Sequence, residues 1–227
     1  MLGRNHVVLS LASVLLLAVP WLPGSFQTVA LVLAGVWVGA YLPDIDQPNM
    51  RIVHGVMMVP LVPRILRAIL FSIVGLGFWL LRQRFNPEHR GSMHTILGIA
   101  MYSAVICGAI YLGLRYAGYW DPVVAWLFAG LAAGGVLHLV EDSCTRWGIR
   151  PFAPVWGHRF HGGITTGSGD RRPEIYASVL CCFSGALLYL NFVEHLARDY
   201  LIPLSLLTLG TAWAMFFLMA KIPGRSK

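Results

Sequence analysis

Charge is scarce in this 227-residue chain. Only 12% of its residues are Asp, Glu, Lys or Arg, against about 25% in soluble domains. Acidic residues are few: 10, beside 17 basic ones. With so little charge the chain is neither a disordered segment nor an ordinary water-soluble enzyme. Cysteine is also rare. Cys107, Cys144, Cys181 and Cys182 form no C-x-x-C pair, which excludes a disulfide framework. No H-E-x-x-H occurs, so the local metalloprotease motif is lacking. Internal repeats and low-complexity tracts are absent as well. What is abundant is apolar surface: 57% of residues, before 24 glycines are counted. A chain of this size cannot bury that much in one water-soluble core. The class that remains is a polytopic membrane protein.

Apolar segments run at 7–20, 26–42, 65–81, 94–114, 122–141, 175–193 and 201–220. A spanning helix needs about 20 residues, and Pro20, Pro43, Pro122, Pro173 and Pro203 fall at segment ends, where helices tolerate proline. A further apolar piece at 53–63 contains Pro60 and Pro63 and reads as short or re-entrant. The expected fold is an all-α transmembrane bundle of about six to eight helices, forming one integral-membrane domain over 1–227. No small-x-small cleavage site follows the first segment, so that helix is expected to be retained. The longest polar stretch, 142–174, is rich in Gly, Arg and His and reads as a long loop.

Ionisable residues at or inside apolar helices are functional candidates. Asp44 and Asp46 close the second segment, where the alternative is a solvated helix end. His89, Arg90 and His94 open the fourth long segment: imidazoles suit transition metals, and a guanidinium grips phosphate. The alternative there is a basic interfacial loop. His138 and Asp142 are four residues apart, on one helix face, a spacing that suits two ligands of one metal. Glu141 points elsewhere and reads as a neighbour of that site. His6 starts the first segment. His158 and His161 form an H-x-x-H that reads as part of a basic loop, and Glu174 as a carboxylate favoured at a helix N-terminus. His54 and His195 have no acidic constellation around them.

Parity links these residues. If the first segment leaves one side, the second returns Asp44 and Asp46 to it, and 122–141 returns His138 and Asp142. His89 and His94 join them only if 51–88 crosses twice or not at all. Most basic residues fall on that same side, from Arg4 to Lys227, leaving Arg115 and Arg198 opposite. The positive-inside rule then puts the polar cluster in the cytoplasm.

These motifs, in this order, resemble the YdjM-like family of bacterial and archaeal inner-membrane metal-dependent hydrolases. The resemblance rests on His6, Leu42-Pro43-Asp44-Ile45-Asp46, His89-Arg90-Gly91 to His94, and His138 to Asp142. Downstream, Thr145, Gly148, Pro151-Phe152 and Gly167-Ser168 to Glu174 also fit. It implies a metal site and hydrolysis in the prokaryotic inner membrane, and a distant similarity to the all-helical zinc-dependent phospholipase C and P1 nuclease group. A phosphoester of a membrane lipid is then the expected substrate; nucleic acid is not an expected partner.

The expected metal ligands are His6, Asp44, Asp46, His89, His94, His138 and Asp142. Seven exceed the three protein ligands of one catalytic zinc, so two ions are accommodated; zinc is expected, with manganese or iron as alternatives. Arg90 is expected to neutralise phosphate charge, and Asp44 or Asp46 to act as base. The alternative functions are a metal-ion transporter and a non-enzymatic protein that binds anionic lipid.

Overall fold

The computed structural model describes residues 3–46, 61–165 and 169–221, without the side chains of 46 and 61–64. Seven α-helices fill most of them: α1 Gly3–Ala18, α2 Phe26–Tyr41, α3 Leu61–Leu80, α4 Ile96–Tyr116, α5 Ala125–Ser143, α6 Arg172–Phe192 and α7 Arg198–Ala220. Short 3-10 turns cover Val19–Trp21, Pro43–Asp46, Ser92–His94 and Pro122–Val124. Among the described residues there is no strand; two isolated bridges, Thr145 with Ile164 and Ile149 with Phe160, organise the 144–171 connection.

Local chemistry sets these boundaries. Thr95 caps α4 by accepting from the Gly98 N–H at 2.9 Å, which satisfies one orphan donor of the first turn. Asp121 does the same for Val123 ahead of α5, at 2.8 Å. Pro173 sits in the first turn of α6, where its missing N–H costs nothing. The loop expected at 142–174 is therefore shorter, because α5 continues through Ser143 and α6 already begins at Arg172.

Six helical stretches are long and apolar enough to cross a membrane: Gly3–Trp21, Phe26–Ile45, Ile96–Tyr116, Pro122–Ser143, Arg172–Phe192 and Arg198–Ala220. The first is longer than its apolar run, since the helix already begins at Gly3. The expected span at 65–81 lies in α3, Leu61–Leu80, and the described side chains form an apolar run over Ile65–Leu80. Arg82 ends that helix in a left-handed conformation (φ 56°), and the Gln83 N–H returns to the Phe78 carbonyl at 2.8 Å, a C-terminal stop. The piece expected at 53–63 lies mostly outside the described residues. Large apolar side chains face outward on these helices, among them Leu112, Leu207 and Leu218, each more than 60% exposed. Such a surface suits lipid rather than water.

The bundle has two ends, each tied by polar contacts. At one end Arg4 of α1 pairs with Glu174 of α6 at 2.6 Å, and Arg172 donates to the Met219 carbonyl of α7 at 2.9 Å. At the other, Asn191 donates to the carbonyls of Val19 and Leu22, and Arg198 to that of Pro20. The start of α1 and the ends of α2, α5 and α7 thus share the first end.

The most extensive helix pairing is α2 against α5. Gly35 and Gly39 of α2 meet Gly130 and Gly134 of α5, both pairs with G-x-x-x-G spacing. A Cβ on Gly39 would strike the Leu131 carbonyl, and one on Gly134 the Val36 carbonyl. Backbones approach this closely in membranes because small residues allow it, where lipid removes the hydrophobic drive between helices. One core lies among α1, α6 and α7, around Leu16, Leu180 and Phe216. The other joins α3, α4 and α5 through Val74, Phe78, Tyr102 and Leu131.

Candidate metal centre

Five potential ligands come together at the first end of the bundle. His6 stands in the opening turns of α1, Asp44 in the 3-10 turn after α2, His94 in the turn before α4, and His138 and Asp142 in the last turns of α5. All five are buried. They form two overlapping triads, His6–His138–Asp142 and Asp44–His94–His138, each with its ligand atoms within 4.8 Å of one another. These groups could hold a metal ion.

Five His–Asp contacts inside the cluster are longer than good hydrogen bonds. His94 Nε2 lies 3.5 Å from Asp44 Oδ1 and 3.6 Å from Asp142 Oδ2. His138 Nε2 lies 3.6 Å from Asp44 Oδ1 and 3.7 Å from Asp142 Oδ2, and His6 Nε2 is 3.5 Å from Asp142 Oδ1. Good N–H···O bonds are about 2.7–3.2 Å. Two ligand atoms each about 2.1 Å from a tetrahedral ion stand about 3.4 Å apart, close to what is seen. His138 Nε2 and Asp142 Oδ2 are fully buried and make no hydrogen bond among the described residues. Leaving such a group unmatched costs about 1–3 kcal/mol, a penalty that a cation between them would offset.

The outer contacts orient the imidazoles. His138 Nδ1 donates to the Ala40 carbonyl at 2.8 Å, which leaves Nε2 with its lone pair inward. His6 Nδ1 donates to Glu141 Oε2 at 2.6 Å, and Glu141 Oε1 accepts from Ser10 Oγ at 3.0 Å. The His6 and His138 rings stack with centroids 4.0 Å apart. Fixing the tautomer through the second ring nitrogen is how metal-binding histidines are held. Glu141 therefore stands behind the ligands rather than among them, as expected for a neighbour.

Arg90 closes one side. Its Nη2 donates to Asp142 Oδ1 and its Nη1 to Thr145 Oγ1, both at 2.8 Å. It does so from a left-handed backbone (φ 65°), a conformation rare outside glycine and often found at functional sites. His89, also expected as a ligand, is exposed, with its ring 5.1 Å from that of His94, and belongs to neither triad. The Asp46 side chain lies outside the described residues. His158 stacks on Trp156 and belongs to neither triad, and His195 stands in the α6–α7 connection at the opposite end. Cys144, two residues beyond Asp142, belongs to neither triad; its thiol is aimed at the Val140 carbonyl instead.

Three contributors were not singled out from sequence. Ser10 lies four residues after His6 on one helix face, a spacing that could have marked it. Thr145 entered only through the resemblance. The Ala40 carbonyl carried no side-chain signal at all.

The sequence model of the YdjM inner membrane protein family matches residues 1–220. No curated protein and no solved structure matches the chain.

Proposed function

We propose that this chain, which belongs to the YdjM inner membrane protein family, is a metal-dependent hydrolase that cleaves a phosphoester of a lipid or other membrane-associated substrate. The observation that carries the reading is the five-residue His/Asp cluster with a guanidinium on its edge. The excess of arginine at this end favours a cytoplasmic orientation by the positive-inside rule, with Arg115 and Arg198 near the other end.

The donor set of imidazoles and carboxylates fits zinc, manganese or iron, zinc foremost. One ion fits better than two. The triads share His138, its Nδ1 is committed to Ala40, and its Nε2 can serve one ion. A divalent ion held there supplies Lewis acidity and lowers the pKa of water toward 7.

The chain's own groups do the rest. Asp44 has the most exposed side chain of the cluster, 8% against 1% or less for the others given in its contacts, so it is the carboxylate placed to accept a proton. Asp46 is the second base candidate, from its place two residues on. Arg90, already aimed at Asp142, neutralises charge developing on a phosphoryl oxygen. Glu141 and Ser10 hold His6 in register.

Near-complete burial favours a second reading, in which the ion is structural and staples α1, α2, α4 and α5. Catalytic zinc keeps an open position, whereas structural zinc is closed. A transporter would need its polar groups near the bilayer midplane; here they gather at helix ends.

The test is metal content per chain in detergent-purified protein, wild type beside His138→Ala/Asp142→Ala, followed by phosphoester hydrolysis with phosphatidate and a soluble diester. Bound metal lost in the double variant, with metal-dependent hydrolysis, supports the enzyme. Bound metal without hydrolysis of either substrate moves the structural ion to the front. No metal after reconstitution with excess ions sinks both.

A further inference from the structure

Beside the metal cluster lies a cavity of about 270 Å³. No ligand of the cluster lines it; Arg90 and His89 form the partition. Arg84, Arg90, Arg150 and Arg159 all line this space, against a single carboxylate, Glu88. They come from three separate places: the connection after α3, the turn before α4, and both limbs of the 144–171 connection.

Arg150 and Arg159 are brought face to face by the backbone. Ile149 and Phe160 exchange both of their main-chain hydrogen bonds, each at 2.9 Å, so the next residues, Arg150 and Arg159, stand opposite each other. Like charges directly across such a pair are destabilising. Neither they nor Arg84 form an ion pair with a carboxylate among the described residues. Folding alone gives no reason to collect these charges around one hollow. Guanidinium forks match phosphate oxygens bidentately.

We propose that this cavity is a binding site for a phosphate-bearing anion, held by Arg84, Arg150 and Arg159 and touching Arg90 at its inner wall. Trp147, 68% exposed, also lines it, and indoles favour the headgroup level of a bilayer. The phosphate can therefore come from a lipid headgroup or from solution. That the anion is a substrate rests on the proposed hydrolase; that it binds does not.

Calorimetric titration of inorganic phosphate into the detergent-solubilised chain tests the site, in metal-loaded and metal-stripped protein. Wild type is expected to bind in both states, and Arg150→Gln/Arg159→Gln to bind at least about tenfold more weakly, as loss of two charge-assisted contacts requires, while keeping wild-type metal content. Both residues are exposed, so the variant is expected to fold; Arg84→Gln gives a second, independent loss.

Reconstitution into phosphatidylcholine nanodiscs with or without phosphatidate then separates the sources. Phosphatidate that displaces free phosphate identifies a headgroup; undiminished phosphate binding identifies a soluble anion. Binding that disappears with the metal and is untouched by the arginine variants overturns the cavity site and leaves the hydrolase standing. Binding by a wild type that never holds metal keeps the cavity site and removes the hydrolase. No binding in any state overturns the site.

Discussion

His138 of α5 donates its Nδ1 proton to the main-chain carbonyl of Ala40 in α2, 2.8 Å away. This bond joins two levels of the structure. It exists because α2 and α5 touch backbone to backbone, and it leaves Nε2 of the same ring facing Asp44 and Asp142. Helix packing thereby sets the geometry of the His/Asp cluster.

Gly134→Leu tests that dependence. A side chain at Gly134 would collide with the Val36 carbonyl, and main chain cannot step aside as a flexible side chain can. Overpacking a tight contact costs about 1–3 kcal/mol. We expect a lower unfolding temperature in detergent and reduced metal content. Gly185→Leu on α6, where a Cβ meets nothing within 4 Å, should leave both near wild type. Equal loss in the two variants would show that the α2–α5 contact does not position the ligands.

Metal removal should destabilise the wild type more than the ligand variant. A ligand that binds only the folded state stabilises it by mass action, and the cluster joins α1, α2, α4 and α5. Chelator added to metal-loaded protein is expected to lower the unfolding midpoint. His138→Ala/Asp142→Ala should start lower and show no chelator response. A response retained by the double variant places the ion elsewhere.

Glu141 is expected to act through His6. Glu141→Ala removes the acceptor for both His6 Nδ1 and Ser10, and changes of this kind typically weaken metal affinity by about 10–100-fold. Glu141→Gln keeps an acceptor oxygen and should lose less; Ser10→Ala should lose least. Competition against a fluorescent zinc chelator gives the order. An Ala variant with wild-type affinity would make Glu141 a neighbour without influence on the ion.

Much of this was legible in the sequence, for identifiable reasons. Long apolar runs bounded by proline reveal spanning helices, because a bilayer demands length and internal hydrogen bonding. The four-residue spacing of His138 and Asp142 survives folding because a helix fixes it. Parity placed His6 and Asp44 at the same end. The arrival of His94 depended on the path of 51–88, which no local periodicity encodes. That His94 enters a triad while His89 does not was equally hidden, since both sit in an irregular turn where spacing gives no direction. The pairing of Gly39 and Gly134 with opposing carbonyls shows only in three dimensions, because it depends on which helices pack together. The arginine cavity was the least legible: Arg84 and Arg150 are 66 positions apart, and only the Ile149–Phe160 bridge sets Arg150 against Arg159.

The pairing of Asp170 with Arg172 makes the end of the long connection sensitive to acid. Arg172 donates to Asp170 Oδ1 from Nε at 2.9 Å and to Oδ2 from Nη2 at 2.6 Å, and the Thr165 N–H adds a bond of 2.9 Å. These contacts, the guanidinium foremost, hold the Asp170 carboxyl well below the usual carboxylate range. An unfolded aspartate titrates near 3.9. A folded-state value below it means the carboxylate contributes its full stabilisation above about pH 4 and loses it as pH falls further. Arg172 also donates to the Gly163 carbonyl and, in α7, to that of Met219, so protonation loosens the fastening of the connection to the bundle. Asp170→Asn should therefore lower the unfolding midpoint in detergent at pH 7, and the gap from wild type should narrow as pH is taken from about 4 to 2. A gap independent of pH over that range would mean that the Asp170 charge does not fasten the segment, and that its hydrogen-bonding shape alone does.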